Sequence, residues 1–118
     1  MKSKSVLIID DEEGIRETLQ LALEFEGYDV HTAANGEEGL EVLDQIRRPC
    51  VILLDLMMPV MNGWEFAVAI AKSELHKSIP VVVVSAFDTQ AQGLPVRSVL
   101  KKPIDLSTLL DTVHHWCA

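Results

Sequence analysis

The residues best suited to chemistry in this sequence stand just after apolar runs. Asp10 and Asp11 follow Val6-Leu7-Ile8-Ile9, Asp55 follows Val51-Ile52-Leu53-Leu54, and Ser85 follows four consecutive valines, 81–84. Lys102 comes shortly after Ser98-Val99-Leu100. Short runs rich in β-branched residues, apolar on both faces, read as strands of a covered parallel sheet. The polar residues therefore collect at the carboxyl ends of strands, where open α/β sheets carry their sites. Carboxylates crowded together repel, and a hard divalent cation removes the conflict. Magnesium takes oxygen ligands and commonly bridges carboxylates to a phosphoryl group. A lysine offers a mobile point charge to an oxyanion, and a serine hydroxyl adds a neutral hydrogen bond. Carboxylate nucleophiles form aspartyl phosphates. The set predicts a phosphoryl-transfer site.

Each residue alone has a plainer explanation. Asp-Asp after a strand can be a helix cap with a first-turn acid, and Asp55 before a proline-containing loop can start a turn. A strand-end serine or a Lys-Pro pair is ordinary loop chemistry. What separates the two readings is the coincidence, since four strand ends each supply the group the chemistry needs.

The elements that must position them follow from hydrophobic period. Helical stretches separate the apolar runs: Ile15, Leu19, Ala22 and Leu23 form one stripe, ended by Gly27. A second strand is expected over 28–33, and a second helix capped by Asn35 should reach about Ile46, before Pro49. A third helix is expected over 64–73, behind a loop marked by Pro59, Asn62 and Gly63, and a last helix carries Leu106, Leu109, Leu110 and Val113. Strands alternating with helices predict an α/β, flavodoxin-like, doubly wound five-stranded parallel sheet of order 2-1-3-4-5, in a single domain over residues 1–118.

Composition limits the functions. The 118 residues carry 18 acids against 10 bases, a net charge of −8, and the bases are scattered, which argues against direct nucleic-acid binding. The apolar runs are too short to span a membrane, and the first is too short for a secretion signal, so a cytoplasmic protein is expected. Cys50 and Cys117 have no metal or redox-motif spacing and read as two separate thiols in a reducing compartment. His31, His76, His114 and His115 lack metal-ligand spacing, and the last two are expected at a fraying helix end. Trp64 and Trp116 read as packing anchors. The Asp-Asp-Glu-Glu-Gly loop after the first strand is hostile to phosphate and lacks a glycine cradle, which excludes a flavin or dinucleotide site.

Four blocks, Val6-Leu-Ile-Ile-Asp-Asp-Glu, Leu54-Asp-Leu-Met-Met-Pro-Val-Met-Asn-Gly63, Val84-Ser-Ala86 and Leu100-Lys-Lys-Pro103, resemble the signatures of the response-regulator receiver family, in the family's order. The resemblance implies that Asp55 takes a phosphoryl group from a phosphohistidine on a sensor histidine kinase or histidine phosphotransfer protein. It implies magnesium, with manganese as the alternative, held by Asp11, Asp55 and the backbone carbonyl of Met57, with Asp10 acting through a metal-bound water. Ser85, Lys102 and the backbone of Ala86 would hold phosphoryl oxygens, and the Lys102-Pro103 peptide would be cis. Met57 and Phe87 occupy positions that in this family govern water access, so their apolar side chains predict slow self-hydrolysis. The protein would be a signalling phosphoacceptor rather than a turnover enzyme, acting on a downstream protein or on an effector domain not contained in this chain.

Two features depart from the family. Val99 stands where members usually carry a switch aromatic, and the stretch from Ser85 to Lys102 is short, which predicts a shortened fourth helix. The usual output face, formed by the fourth helix, fifth strand and last helix, should be remodelled. Alternatives are a pseudo-receiver interaction module, a phosphorelay intermediate with a non-standard output face, and, more remotely, an aspartyl-phosphate phosphatase. The phosphatase type would want Asp-x-Asp on the first strand.

Overall fold

In a computed structural model, residues 4–86 and 93–118 are described. The strands are β1 (Ser5–Ile9), β2 (Asp29–Ala33), β3 (Val51–Asp55), β4 (Val81–Ser85) and β5 (Ser98–Lys101), apolar runs except for the mixed β2. Between and after them lie helices α1 (Glu13–Phe25), α2 (Gly36–Leu43), α3 (Gly63–Lys72) and α4 (Leu106–Cys117). All strand pairs are parallel, and the sheet order is β2-β1-β3-β4-β5. This is the flavodoxin-like, doubly wound arrangement that the alternation predicts.

The two-residue period of each strand divides the core. Leu7, Ile9, Ile52 and Leu54 face one layer, against Leu43 of α2 and Phe66, Ala67 and Ile70 of α3. Val6, Ile8, Leu53, Val82 and Val84 face the other, against Leu19 and Leu23 of α1 and Leu109 and Val113 of α4. With both faces covered, β3 and β4 are buried at every position, so their ends are held rigidly.

Local signals set most boundaries. Gly27 has φ +93°, as the stop after α1 requires. Asn35 caps α2 by accepting from the Glu38 N–H at 2.9 Å. The helix ends at Leu43, short of the expected Ile46, and turns carry the chain toward Pro49. The shortened fourth helix would fall mainly on 87–92, outside the described residues, and 93–97 contain no helix.

Two expectations at the carboxyl terminus are corrected. Cys50 and Cys117 do not lie apart: in this structure they form a disulfide, their Cα atoms 5.1 Å apart across 67 positions of sequence. Sequence spacing hides the proximity because α4 folds back to bring its end beside the start of β3. Nor does α4 fray at the histidines. The His114 Nδ1 lies 2.6 Å from the Tyr28 hydroxyl, and its Nε2 lies 3.4 Å from Glu26 Oε1.

Candidate functional site

β1 and β3 are neighbours, and β3 pairs with β4, so their carboxyl ends meet along one edge. Asp10 continues the β1–β2 ladder by donating its N–H to the Ala33 carbonyl at 3.1 Å. The residue is 3% exposed, and Oδ1 accepts from the Glu12 N–H at 2.9 Å. The Arg16 guanidinium donates to the Asp10 carbonyl at 2.7 Å, bracing the turn into α1. Asp55, the last residue of β3, is 4% exposed. Asp11 is exposed. One carboxylate oxygen from each of Asp10, Asp11 and Asp55 lies within 4.8 Å of the others, a group able to hold a metal ion.

Lys102 arrives from β5. Its N–H donates to the Ser85 carbonyl at 2.8 Å, extending the β4–β5 ladder, and its peptide to Pro103 is cis. Nζ lies 3.2 Å from Asp10 Oδ2, 3.5 Å from Asp55 Oδ1 and 3.8 Å from Glu12 Oε1. Ser85 ends β4 fully buried, and Ala86 beside it is exposed. The Met57 N–H points back to Asp55 Oδ1 at 3.4 Å, while the Met57 residue is 60% exposed at the mouth. Phe87 lies outside the described residues. Val99 packs with Trp64, Leu94 and Val96 against buried Leu56 and Val83.

The loop from β3 to α3 is fixed by backbone geometry. Gly63 donates its N–H to the Leu56 carbonyl at 3.0 Å, and Asn62 and Glu65 form a reciprocal capping box at 2.9 and 3.1 Å. A Cβ at Gly63 would meet the Leu56 Cα at 2.6 Å, so this approach needs glycine.

The electrostatics are those of a crowded acidic cluster. Burial, then Asp10 and, more weakly, Asp11, push the Asp55 carboxyl up to about 6, against the opposing pull of Lys102 and the Met57 N–H. For Lys102, burial disfavours the charge, but Asp10, Asp55 and Glu12 outweigh it and hold the ammonium above its usual range. A carboxylate that resists ionisation beside other carboxylates is one that a cation would relieve.

Asp10, Asp11, Asp55, Ser85 and Lys102 thus converge at one edge. Sequence reasoning missed Arg16 and Glu12. Their roles depend on how the first turn of α1 curls back, which residue spacing alone does not reveal.

A family model for the response regulator receiver domain matches residues 6–114, and the chain belongs to that family of two-component signalling domains. It is similar to the chemotaxis response regulator CheY4 of Vibrio cholerae, with 32% identity and a TM-score of 0.87 over 98% of this chain and 99% of that one. A response regulator receiver protein from Pseudomonas putida gives 31% identity and a TM-score of 0.85, covering 98% of each chain. The transcriptional regulatory protein SrrA of Staphylococcus aureus is 40% identical over 84 residues, 71% of this chain and 33% of the relative. The chain thus matches only about a third of the length of such curated relatives. Among the described residues, no helix is long and apolar enough to cross a membrane.

Proposed function

We propose that this receiver domain, spanning residues 1–118, accepts a phosphoryl group on Asp55 from the phosphohistidine of a sensor histidine kinase or phosphotransfer protein. An Asp55 carboxylate oxygen attacks phosphorus, the phosphorus–nitrogen bond breaks, and the imidazole leaves with its electron pair. Asp11, Asp55 and the Met57 carbonyl would hold magnesium or manganese, with Asp10 acting through water. The cation supplies charge neutralisation for the phosphoryl oxygens. Lys102, Ser85 and the Ala86 N–H would hold those oxygens from the protein side. The observation that carries this reading is the meeting of three carboxylates within 4.8 Å with Lys102 Nζ 3.5 Å from Asp55.

The test is incubation with acetyl phosphate and magnesium, read by intact mass. A phosphate adduct in the wild type that is absent in Asp55→Asn supports the reading, and an adduct retained in the variant removes it. The exposed Met57 side chain shields the mouth, so Met57→Asn is expected to shorten the adduct's lifetime several-fold. An unchanged lifetime would deny Met57 that role.

Val99 favours a non-standard output within the same function. A valine packed on Leu56 and Val83 cannot swing as a ring does, so the signal leaves by another surface or the phosphoryl group passes onward. Comparison of free and beryllofluoride-bound forms tests this. Shifts confined to 93–101 would contradict it. The partners are a kinase or phosphotransfer protein and a downstream protein or effector domain, with neither nucleic acid nor membrane touched directly, in the cytoplasm.

A further inference from the structure

At the opposite end of the sheet from Asp55, the Cys50–Cys117 pair lines an open pocket of about 840 Å³. Lys4, Arg47 and Arg48 also line it, against the Asp29 side chain and the carboxylate of Ala118, an excess of one positive charge. We propose that this pair is a reversible redox-modification site, exchanging in the folded state with small thiols and disulfides that carry net negative charge.

Three observations carry the proposal. The Cα separation of 5.1 Å lies within the range that a disulfide spans, roughly 4.4–6.8 Å, so the bond closes on this backbone without moving it. The dithiol state is also provided for. Cys50 Sγ lies 3.2 Å from the Ser5 carbonyl oxygen, an acceptor for a freed thiol, and that oxygen already accepts from the Cys50 N–H at 2.9 Å. Finally, α4 does not depend on the bond for its seat. Leu109 and Val113 are fully buried, and His114 is tied to Tyr28 at 2.6 Å.

The setting decides between a fixed staple and a switch. On the reading as a two-component domain in a thiol-rich cytoplasm, the pair rests reduced and cross-links under oxidation. One cysteine thiolate attacks the reagent disulfide and releases one reagent thiol. The second cysteine then displaces the other from the mixed disulfide. Two electrons pass from the cysteines to the reagent, and the two cysteine protons end on the released thiols or in solvent. The basic lining concentrates an anionic reagent over a neutral one.

Purified wild-type protein equilibrated with oxidised and then reduced glutathione, read by thiol labelling and mass, tests this without any phosphorylation step. The bond is expected to close and reopen while circular dichroism stays native. Closing a loop of 67 positions should raise the melting temperature of the oxidised form by on the order of 10 °C. Cys117→Ser should abolish that shift and leave Asp55 phosphorylation by acetyl phosphate intact. Thiols that stay free in oxidised glutathione, or a bond that opens only on denaturation, would overturn the proposal. At low salt, glutathione disulfide should react several-fold faster than neutral hydroxyethyl disulfide, the gap closing at high salt. Equal rates at low salt would remove the anionic preference. Loss of phosphorylation with redox exchange intact would count against the reading of Asp55 alone.

Discussion

Asp55 destabilises the metal-free protein at neutral pH, and the effect has a definite sign. Its carboxyl titrates near 6 in the fold against an ordinary value of 3.8, so the folded state binds the proton more tightly than the unfolded chain. Stability from this group is therefore complete below about pH 4 and falls as pH rises toward 6, by about 3 kcal/mol in all. Asp55→Asn removes the conflict and should stabilise the metal-free domain at pH 7 by roughly 1–3 kcal/mol, the gain disappearing near pH 4. Urea denaturation in chelator at both pH values measures it, and an unchanged midpoint at pH 7 would contradict burial and carboxylate repulsion as the cause. A second residue carries backbone strain: Val60 has φ +69°, unfavourable for a β-branched side chain, and is 74% exposed. Val60→Gly or Val60→Asn should raise stability by about 1 kcal/mol, and a loss in both would show that the valine side chain matters more than the strain.

The loop between β3 and α3 is tied beside Asp55 by the Gly63–Leu56 hydrogen bond and the Asn62–Glu65 capping box. Gly63 sits against the backbone of Asp55 and Leu56, so Gly63→Ala must push Leu56 or the helix start aside. The expected loss is about 1–3 kcal/mol, with weaker phosphate uptake, seen as a lower urea midpoint and a slower adduct rate. At this scale the sequence is informative wherever a signal is local. The apolar runs place every strand but the mixed β2, Asn35 and Gly27 mark helix ends, and the Pro59–Asn62–Gly63 pattern marks the loop. What escapes it is tertiary. The early end of α2, the Arg16 brace, the His114 bridge and the Cys50–Cys117 bond all join residues whose meeting depends on how helices lie on the sheet. The acidic site is legible because parallel topology forces the strand ends together. Val60 is not, because a residue type does not disclose its φ.

For the molecule as a whole, a net charge of −8 with acids gathered at one sheet edge means that a cation bound at Asp10, Asp11 and Asp55 would stabilise the fold as well as serve the proposed chemistry. Anything that binds the native state alone stabilises it in proportion to the logarithm of its concentration over its dissociation constant, about 1.4 kcal/mol at tenfold excess. Proton and metal compete for the same Asp55 oxygens, so the metal's hold weakens as falling pH protonates the carboxyl. Magnesium at millimolar levels should therefore raise the melting temperature by several degrees at pH 7.5, and by much less at pH 5. In Asp55→Asn the pH 7.5 increment should shrink toward the pH 5 value, because the ligand and the relieved repulsion vanish together. Parallel melts in magnesium and in chelator, at both pH values and for both proteins, measure this directly. Equal increments at pH 5 and pH 7.5 would place the cation away from the three carboxylates and separate the fold's stability from its acidic edge.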